Sequence, residues 1–266
     1  GLPPVLQPTD TTPRQPVLTC GPMPHTLWDI SPPIHSGSPV FPGDTPYSQQ
    51  WVASIGPTCP VNVSALTLSP HVGAHADAPL HYDPAGQAVG ELDLTPFIGP
   101  CRVIHAPGCG PLVRPEHLAH ALPPAPDRTR HSHGWHPLPP RVLVRVYARM
   151  PQTAFDTALP ALAPETVELL AELGVLLVGT DSASIDPADS QPLPSHQTIR
   201  RHGLRVLENL LLDDVPEGDC ELIALPLKLM SADASPVRAV LRPLPGHIGM
   251  RPWQAGHVHT APLPQP

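Results

Sequence analysis

The sequence predicts a mixed α/β fold in which strands and helices alternate within one domain. Residues 141–146 alternate apolar and charged side chains in part, as a half-buried strand does. Residues 164–174 begin with proline and end with glycine, which are the usual start and stop of a helix. Residues 175–178 then resume the apolar character of a strand. A strand–helix–strand succession of this kind is typical of α/β domains.

Three more segments support this class. Residues 61–68 are rich in β-branched side chains and partly alternate, so they predict a strand ahead of the central region. Residues 221–226 predict another strand near the end. Residues 180–184 follow the strand at 175–178 and could line a pocket at its end, although we interpret them as an ordinary turn.

Length and composition favour one domain with proline-rich flanks. A chain of 266 residues with 41% hydrophobic content can bury a substantial core. We expect a flexible N-terminal tail over 1–25, the folded domain over 26–245 and a flexible C-terminal tail over 246–266, because much of the proline (43 residues in all) lies in these flanks and in one insertion. That low-complexity insertion covers about 122–140. Its histidines could bind metal, but no carboxylate is near them, and we expect a flexible insertion.

The same composition excludes several classes of partner. No apolar run approaches the eighteen residues of a membrane span, and a net charge of −8 provides no basic surface for nucleic acid. The expected partner is a small molecule. Five scattered cysteines, without C-x-x-C spacing, and the lack of a basic-then-apolar signal segment predict a reducing cytoplasm.

The richest stretch for chemistry runs from His71 to His81. It places His71, His75, Asp77 and His81 within eleven residues, in the pattern H-x3-H-x-D-x3-H. Imidazoles and a carboxylate suit Zn²⁺ and similar divalent ions. The alternative is chance, since the chain contains 16 histidines. Proline and glycine within the stretch oppose a helix, so we expect the ligands where the strand at 61–68 ends in a turn.

Two other catalytic arrangements lack their sequence patterns. The G-x-S-x-G elbow of serine hydrolases does not occur in the chain. Gly108-Cys-Gly110 is too short for a dinucleotide or phosphate-binding loop. A metal-activated water is therefore the favoured nucleophile.

The histidine stretch resembles the H-x-G-[TA]-H-x-D-x-P-x-H signature of the metal-dependent cyclase superfamily, and the surrounding sequence is similar to its bacterial kynurenine formamidase family. The resemblance extends in order over residues 27–244, which no single short motif could imitate. Its other segments are residues 27–33, 40–46, 59–63, 99–105, 211–219, 225–229 and 233–241.

This resemblance implies a dinuclear metal site. It implies that His71, His75 and Asp77 bind one divalent ion, that Asp77 bridges to a second, and that His81 is the proton donor and acceptor. His196 would hold the second ion and Glu208 would bridge both. Zinc is the metal expected. The resemblance also implies a swivelling β/β/α fold and a homodimer.

The spacing of His196 and Glu208 constrains the local structure. Twelve residues of straight helix rise about 18 Å, which is too far for two ligands of one centre. The segment must therefore bend, with Gly203 as the candidate stop, and Glu208 would precede a strand beginning at 210–212. Taken alone, both residues would lie on the surface more often than they would be ligands, and the resemblance reverses that expectation.

Phe41 is the expected substrate-binding residue. The family usually has tryptophan at this position, where it contacts the substrate ring, and phenylalanine keeps the apolar face but loses the indole N–H. The alternative is an aromatic residue of the core.

Together these features predict an arylformamidase that hydrolyses N-formyl-L-kynurenine to L-kynurenine and formate in tryptophan degradation by the kynurenine pathway. Two alternatives stay open. One is another amide or lactam hydrolase of the same superfamily, suggested by Phe41. The other is a non-catalytic metal-binding protein, in which the ligands would matter but His81 would not.

Overall fold

The computed structural model describes residues 27–123 and 138–244. The predicted tails and most of the predicted insertion lie outside these residues. The described strands are β1 (Trp28–Asp29), β2 (Ser48–Ala53), β3 (Val63–Thr67), β4 (His75–Asp77), β5 (Ile98–His105), β6 (Leu112–Val113), β7 (Arg141–Arg145), β8 (Ala161–Leu162), β9 (Leu177–Thr180), β10 (Arg205–Glu208), β11 (Gly218–Ile223), β12 (Ala234–Pro236) and β13 (Val240–Arg242). The described α-helices are α1 (Pro115–Leu118), α2 (Pro164–Glu172) and α3 (Pro194–His202).

Nine of these strands form one mixed sheet in the order β1-β13-β11-β5-β7-β9-β10-β4-β12. The four neighbours β5, β7, β9 and β10 run parallel, and each further strand joins antiparallel on either side. Helices α2 and α3 are the crossovers between parallel strands, as parallel pairing requires. The predicted mixed α/β domain is confirmed.

The core has two parts because side chains alternate along the strands. On β7, Val142 and Val144 pack in the cluster that includes Val167 of α2 and Ile199 of α3. Leu143, between the two valines, belongs to the other cluster. Strands buried on both faces consist largely of apolar residues, which explains the sequence of β7.

The predicted ends of the helices are confirmed. Proline occupies the first position of α2 and of α3, where its missing N–H costs nothing. Gly174 follows α2 with φ of 84°, and Gly203 caps α3 with φ of 64°. Glycine accepts this left-handed conformation without strain, so both helices end where the sequence indicates.

Strand bounds differ from the expectations in detail. The strand expected at 175–178 is β9 (Leu177–Thr180), and the strand expected at 221–226 is β11 (Gly218–Ile223). The prediction that Glu208 precedes a strand at 210–212 is wrong. Glu208 is itself the last residue of β10, because β10 begins two residues after Gly203 and pairs in parallel with β9.

Strands β2 and β3 form a separate two-stranded hairpin. Its side chains are almost all exposed, including Trp51, Val52 and Leu66. Among the described residues, no helix is long and apolar enough to cross a membrane.

Candidate metal centre and active site

Strand β4 carries two of the predicted ligands. His75 and Asp77 are two residues apart on this strand, so both side chains point to the same face of the sheet. The expectation that the ligands lie in a turn is correct only for His71, which precedes the strand. The sheet holds His75 and Asp77 rigidly, because β4 pairs with β10 on one side and β12 on the other.

Glu208 reaches this face through the register of the sheet. It lies directly opposite His75 in the antiparallel pair of β10 and β4. Residues opposite one another in a sheet share a face. Glu208 Oε2 accordingly lies 3.3 Å from His75 Nε2.

His196 approaches from the first turn of α3, next to Asp186. The Asp186 carboxylate accepts hydrogen bonds from the backbone N–H groups of Ser195 and His196, which are otherwise unpaired at a helix start. It also lies 2.8 Å from His196 Nδ1. His196 Nε2 therefore faces the carboxylates of Asp77 and Glu208, at 3.4 Å from each.

The two oxygens of Asp77 face opposite halves of the cluster. Oδ1 lies 3.1 Å from His71 Nδ1 and 3.4 Å from His75 Nε2. Oδ2 lies 3.4 Å from His196 Nε2. The structure thus brings all five predicted ligands together: donor atoms of His71, His75 and Asp77 lie within 4.8 Å of one another, and so do those of Asp77, His196 and Glu208.

The donor set fits a divalent metal ion. Within the described part of the chain, His75 Nε2 is buried and has no hydrogen-bond partner, although burying an unpaired polar atom is costly. His75 Nδ1 donates to the Gly73 carbonyl oxygen at 2.9 Å when Nε2 is the unprotonated nitrogen. This arrangement of a histidine bonded on its far side is typical of metal ligands.

The pKa values of the cluster follow from its packing. Burial alone would raise the pKa of Asp77, but hydrogen bonds from His196 and His71 hold it well below its usual range. Burial alone would lower the pKa of His71, but hydrogen bonds to Asp233 and Asp77 raise it to about 10. The carboxylates are therefore ionised and ready to bind a cation, whereas His71 must lose a proton first.

His81 lies beside the cluster without joining the five. Its ring centroid is 4.3 Å from that of His71 and 6.1 Å from that of His196. Its Nδ1 lies 3.1 Å from Asp233 Oδ2. About a third of the side chain is exposed, so a small molecule can reach it.

The cluster forms one end of a cavity of about 360 Å³. Phe41 lines this cavity and is 38% exposed, so the alternative of a buried core aromatic is wrong. The Phe41 ring contacts Phe155 edge to face, with centroids 5.0 Å apart. A volume of this size is typical of small-molecule sites.

Sequence reasoning missed several residues of the site. The Asp233 carboxylate lies within hydrogen-bond distance of His71 and His81, and the Asp186 carboxylate of His196. No sequence motif marks Asp186. Asp233 is marked only as the first residue of a segment that resembles the family. Asp181 and Ser184 line the cavity, so an ordinary turn at 180–184 is an incomplete interpretation. Phe155 had no signal in the sequence.

Comparison with known proteins agrees with this geometry. The Cyclase family model matches residues 28–187. Kynurenine formamidase of Paracidovorax citrulli is 70% identical over 219 residues, covering 82% of this chain and 97% of that protein. Kynurenine formamidase of Delftia acidovorans is 67% identical, covering 84% of this chain and 100% of that protein.

A solved structure described as a potential metal-dependent hydrolase with cyclase activity superposes with a TM-score of 0.67 at 25% identity, covering 82% of this chain and 97% of that one. Fold and site together define a metal-dependent hydrolase. The chain belongs to the cyclase family and, within it, to the group of kynurenine formamidases. The predicted cyclase-like fold is confirmed.

Proposed function

We propose that this protein is an arylformamidase that hydrolyses N-formyl-L-kynurenine to L-kynurenine and formate in tryptophan degradation. The observation that carries the proposal is the buried cluster in which Asp77 faces His71 and His75 with one oxygen and His196 with the other. The activity named for relatives at 70% and 67% identity supports the same reaction.

The cluster would hold two divalent ions. His71, His75 and Asp77 would bind the first, and His196 the second, with Asp77 and Glu208 bridging the two. Three imidazoles with carboxylates are a donor set that suits zinc, which is the proposed metal. Such ions, when bound, lower the pKa of a coordinated water toward neutrality and polarise a carbonyl oxygen.

His81 would carry the proton. Hydrolysis adds one water across the formamide C–N bond: the carbon keeps the hydroxyl as formate, and the departing aryl nitrogen needs a proton. Asp233 engages Nδ1 of His81, which leaves Nε2 to take a proton from the water and deliver it to that nitrogen.

Phe41 would contact the aryl ring of the substrate. Its ring lines the same cavity as residues of the metal cluster and contacts Phe155, which also lines the cavity, edge to face. Aromatic rings pack well edge to face or offset, and this favours an aryl formamide over an aliphatic one.

Formyl-kynurenine turnover before and after chelation tests the function. We expect turnover by the protein as purified, loss of turnover after treatment with a chelator, and recovery on adding Zn²⁺. Bound metal without turnover would favour the non-catalytic metal-binding protein. Turnover of a cyclic amide in place of the formamide would favour the other hydrolase of the superfamily.

A homodimer is the proposed assembly, with the β2–β3 hairpin at its interface. Trp51 and Val52 are adjacent on β2, at an irregularity in its pairing with β3, and they are 62% and 70% exposed. Two-stranded hairpins with no further packing are marginally stable, and large exposed apolar patches mark interaction sites. Light scattering of the wild type and of Trp51→Ser tests this: the variant should be monomeric.

Three further expectations complete the proposal. The domain would span 26–245, and the predicted segments at 1–25, about 122–140 and 246–266 lie wholly or mostly outside the described residues. The protein would reside in the cytoplasm, on the basis of its scattered cysteines. Its partners would be the substrate and a second copy of the chain.

A further inference from the structure

The cavity has a second recognition element, at Asp156. This residue follows Phe155, whose ring contacts Phe41, and both residues line the cavity. A substrate ring placed against this aromatic pair would share the cavity with the Asp156 carboxylate.

The Asp156 carboxylate is fixed in position. Its Oδ2 accepts a hydrogen bond from the Tyr147 hydroxyl at 2.8 Å, and its Oδ1 accepts one from the backbone N–H of Ala158 at 2.9 Å. A carboxylate has about four acceptor positions, so two remain for a ligand. A preorganised acceptor of this kind loses little entropy when it binds a donor.

Asp156 is a carboxylate of the cavity that keeps free acceptor positions and directly follows Phe155 of the aromatic pair. The other four each have a separate set of partners. Glu208 belongs to the metal cluster, Asp233 holds His71 and His81, Asp181 accepts backbone N–H groups from residues 146 and 147, and Asp44 accepts the Ser69 hydroxyl.

The charge of the cavity is negative. Among its described lining residues there is no lysine and no arginine. Away from the proposed metal site, a ligand carboxylate would find no lysine or arginine among these residues, whereas a ligand ammonium would find Asp156. The proposed substrate carries an α-ammonium and an α-carboxylate on one carbon, at the end of a side chain on the same aryl ring as the formamide.

We propose that Asp156 determines specificity by accepting the α-ammonium of the substrate while the aryl ring lies against Phe41 and Phe155. This proposal rests on the proposed function, since it takes formyl-kynurenine as the substrate. Hydrogen bonds to charged groups change affinity by about tenfold to a hundredfold.

Two substrates separate this role from a structural one. N-formyl-L-kynurenine carries the ammonium, whereas 2-formamidoacetophenone has the same aryl formamide and ketone but no amino-acid group. For Asp156→Asn we expect kcat/KM for the first substrate to fall about tenfold to a hundredfold, mostly through KM. For the second substrate we expect less than about a twofold change, since the lost contact is absent.

Two control variants make the result specific. Phe155→Leu should lower kcat/KM for both substrates, because it removes the ring contact that they share. Tyr147→Phe should lower it for the amino-acid substrate alone and by less than Asp156→Asn, because it frees the carboxylate without removing it. Melting temperatures confirm that each variant is folded.

Equal losses for both substrates in Asp156→Asn would overturn the proposal, and so would no loss for either. A wild type that prefers the acetophenone would overturn it as well. Failure of the proposed function is a different result: the wild type would then hydrolyse neither formamide, whatever residue stands at 156.

Discussion

Asp233 Oδ2 lies 3.1 Å from His81 Nδ1. The same oxygen lies 3.0 Å from His71 Nε2, so one carboxylate holds both the proposed proton carrier and a proposed metal ligand. Asp233 reaches them because it precedes β12, whose Ala234 lies opposite Asp77 in the sheet. The pairing of β12 with β4 thereby places Asp233 next to both histidines.

Replacing Asp233 with Asn should therefore lower kcat by about tenfold to a hundredfold, the usual effect of losing a partner that orients a ligand. In a His81→Ala background the same change should add little if Asp233 acts through His81. Steady-state kinetics of the single and double variants measure this, with metal content determined in parallel. A full additional loss in the double variant, together with lost metal, would show that Asp233 acts through His71 instead.

His81→Ala should lower kcat by about a hundredfold to ten-thousandfold, the range for general acid–base residues. Metal content should stay nearly unchanged, because His81 belongs to neither of the two groups that share Asp77, although it lies in a third group with His71 and Asp233. Turnover assays combined with elemental analysis test both statements. Loss of both ions from this variant would mean that His81 is a ligand.

His196→Ala should remove one of two bound ions. His196 Nε2 faces the Asp77 oxygen that points away from His71 and His75, so its loss leaves the other half of the cluster intact. The matched control is His202→Ala, which removes an exposed histidine of the same helix that pairs with Glu168. Elemental analysis should give about one ion for the first variant and two for the control, and equal values would contradict the assignment.

The five proposed ligands could be named from the sequence because residues 71–77 and 196–208 each have a spacing that matches a family pattern. The spacing of His196 and Glu208 also required the helix to end between them, and α3 does end there, at Gly203 in the αL conformation. The strand β4 was not foreseen, because three residues are too few for a periodic pattern, and its place depends on pairing with β10 and β12. Short strands between two partners are determined by tertiary contacts.

Residues whose partners lie far away in the sequence could not be predicted, for a different reason. Asp233 lies 152 residues from His81, and the proposed role of Asp156 depends on a hydrogen bond from Tyr147 and on a neighbouring aromatic pair. Their positions follow from the sheet order and from irregular segments, neither of which has a periodic sequence pattern. Such residues become visible only when the fold brings the segments together.

Metal affinity should rise with pH between 6 and 9. Hydrogen bonds to Asp233 and Asp77 raise the pKa of His71 to about 10, so near neutral pH the metal-free protein carries a proton that the ion must displace. Each unit of pH below 10 should weaken apparent affinity by about tenfold for each proton displaced. Competition titrations with a coloured chelator measure the slope. His71→Asn should have a shallower slope, and a flat profile in the wild type would contradict the raised pKa.

Arg102 and Asp219 should matter for stability and not for metal binding. Arg102 is buried to 1% exposure on β5, where its Nε and Nη2 donate to the two oxygens of Asp219 on β11 at 2.6 and 2.9 Å. A third donor, Nη1, bonds the Ala121 carbonyl oxygen at 2.9 Å. The pair thus joins two neighbouring strands in register, since Asp219 lies opposite Arg102.

Asp219→Ala would leave the guanidinium buried without its counter-ion, which costs about 3–5 kcal/mol in other proteins. Asp29→Ala is the matched control: it removes an exposed bidentate partner of Arg238 and should change stability far less, because solvent screens that pair. Urea unfolding of the metal-loaded protein should show the difference between the two variants at unchanged metal content. Equal unfolding midpoints would mean that the Arg102–Asp219 pair contributes no more than a surface contact.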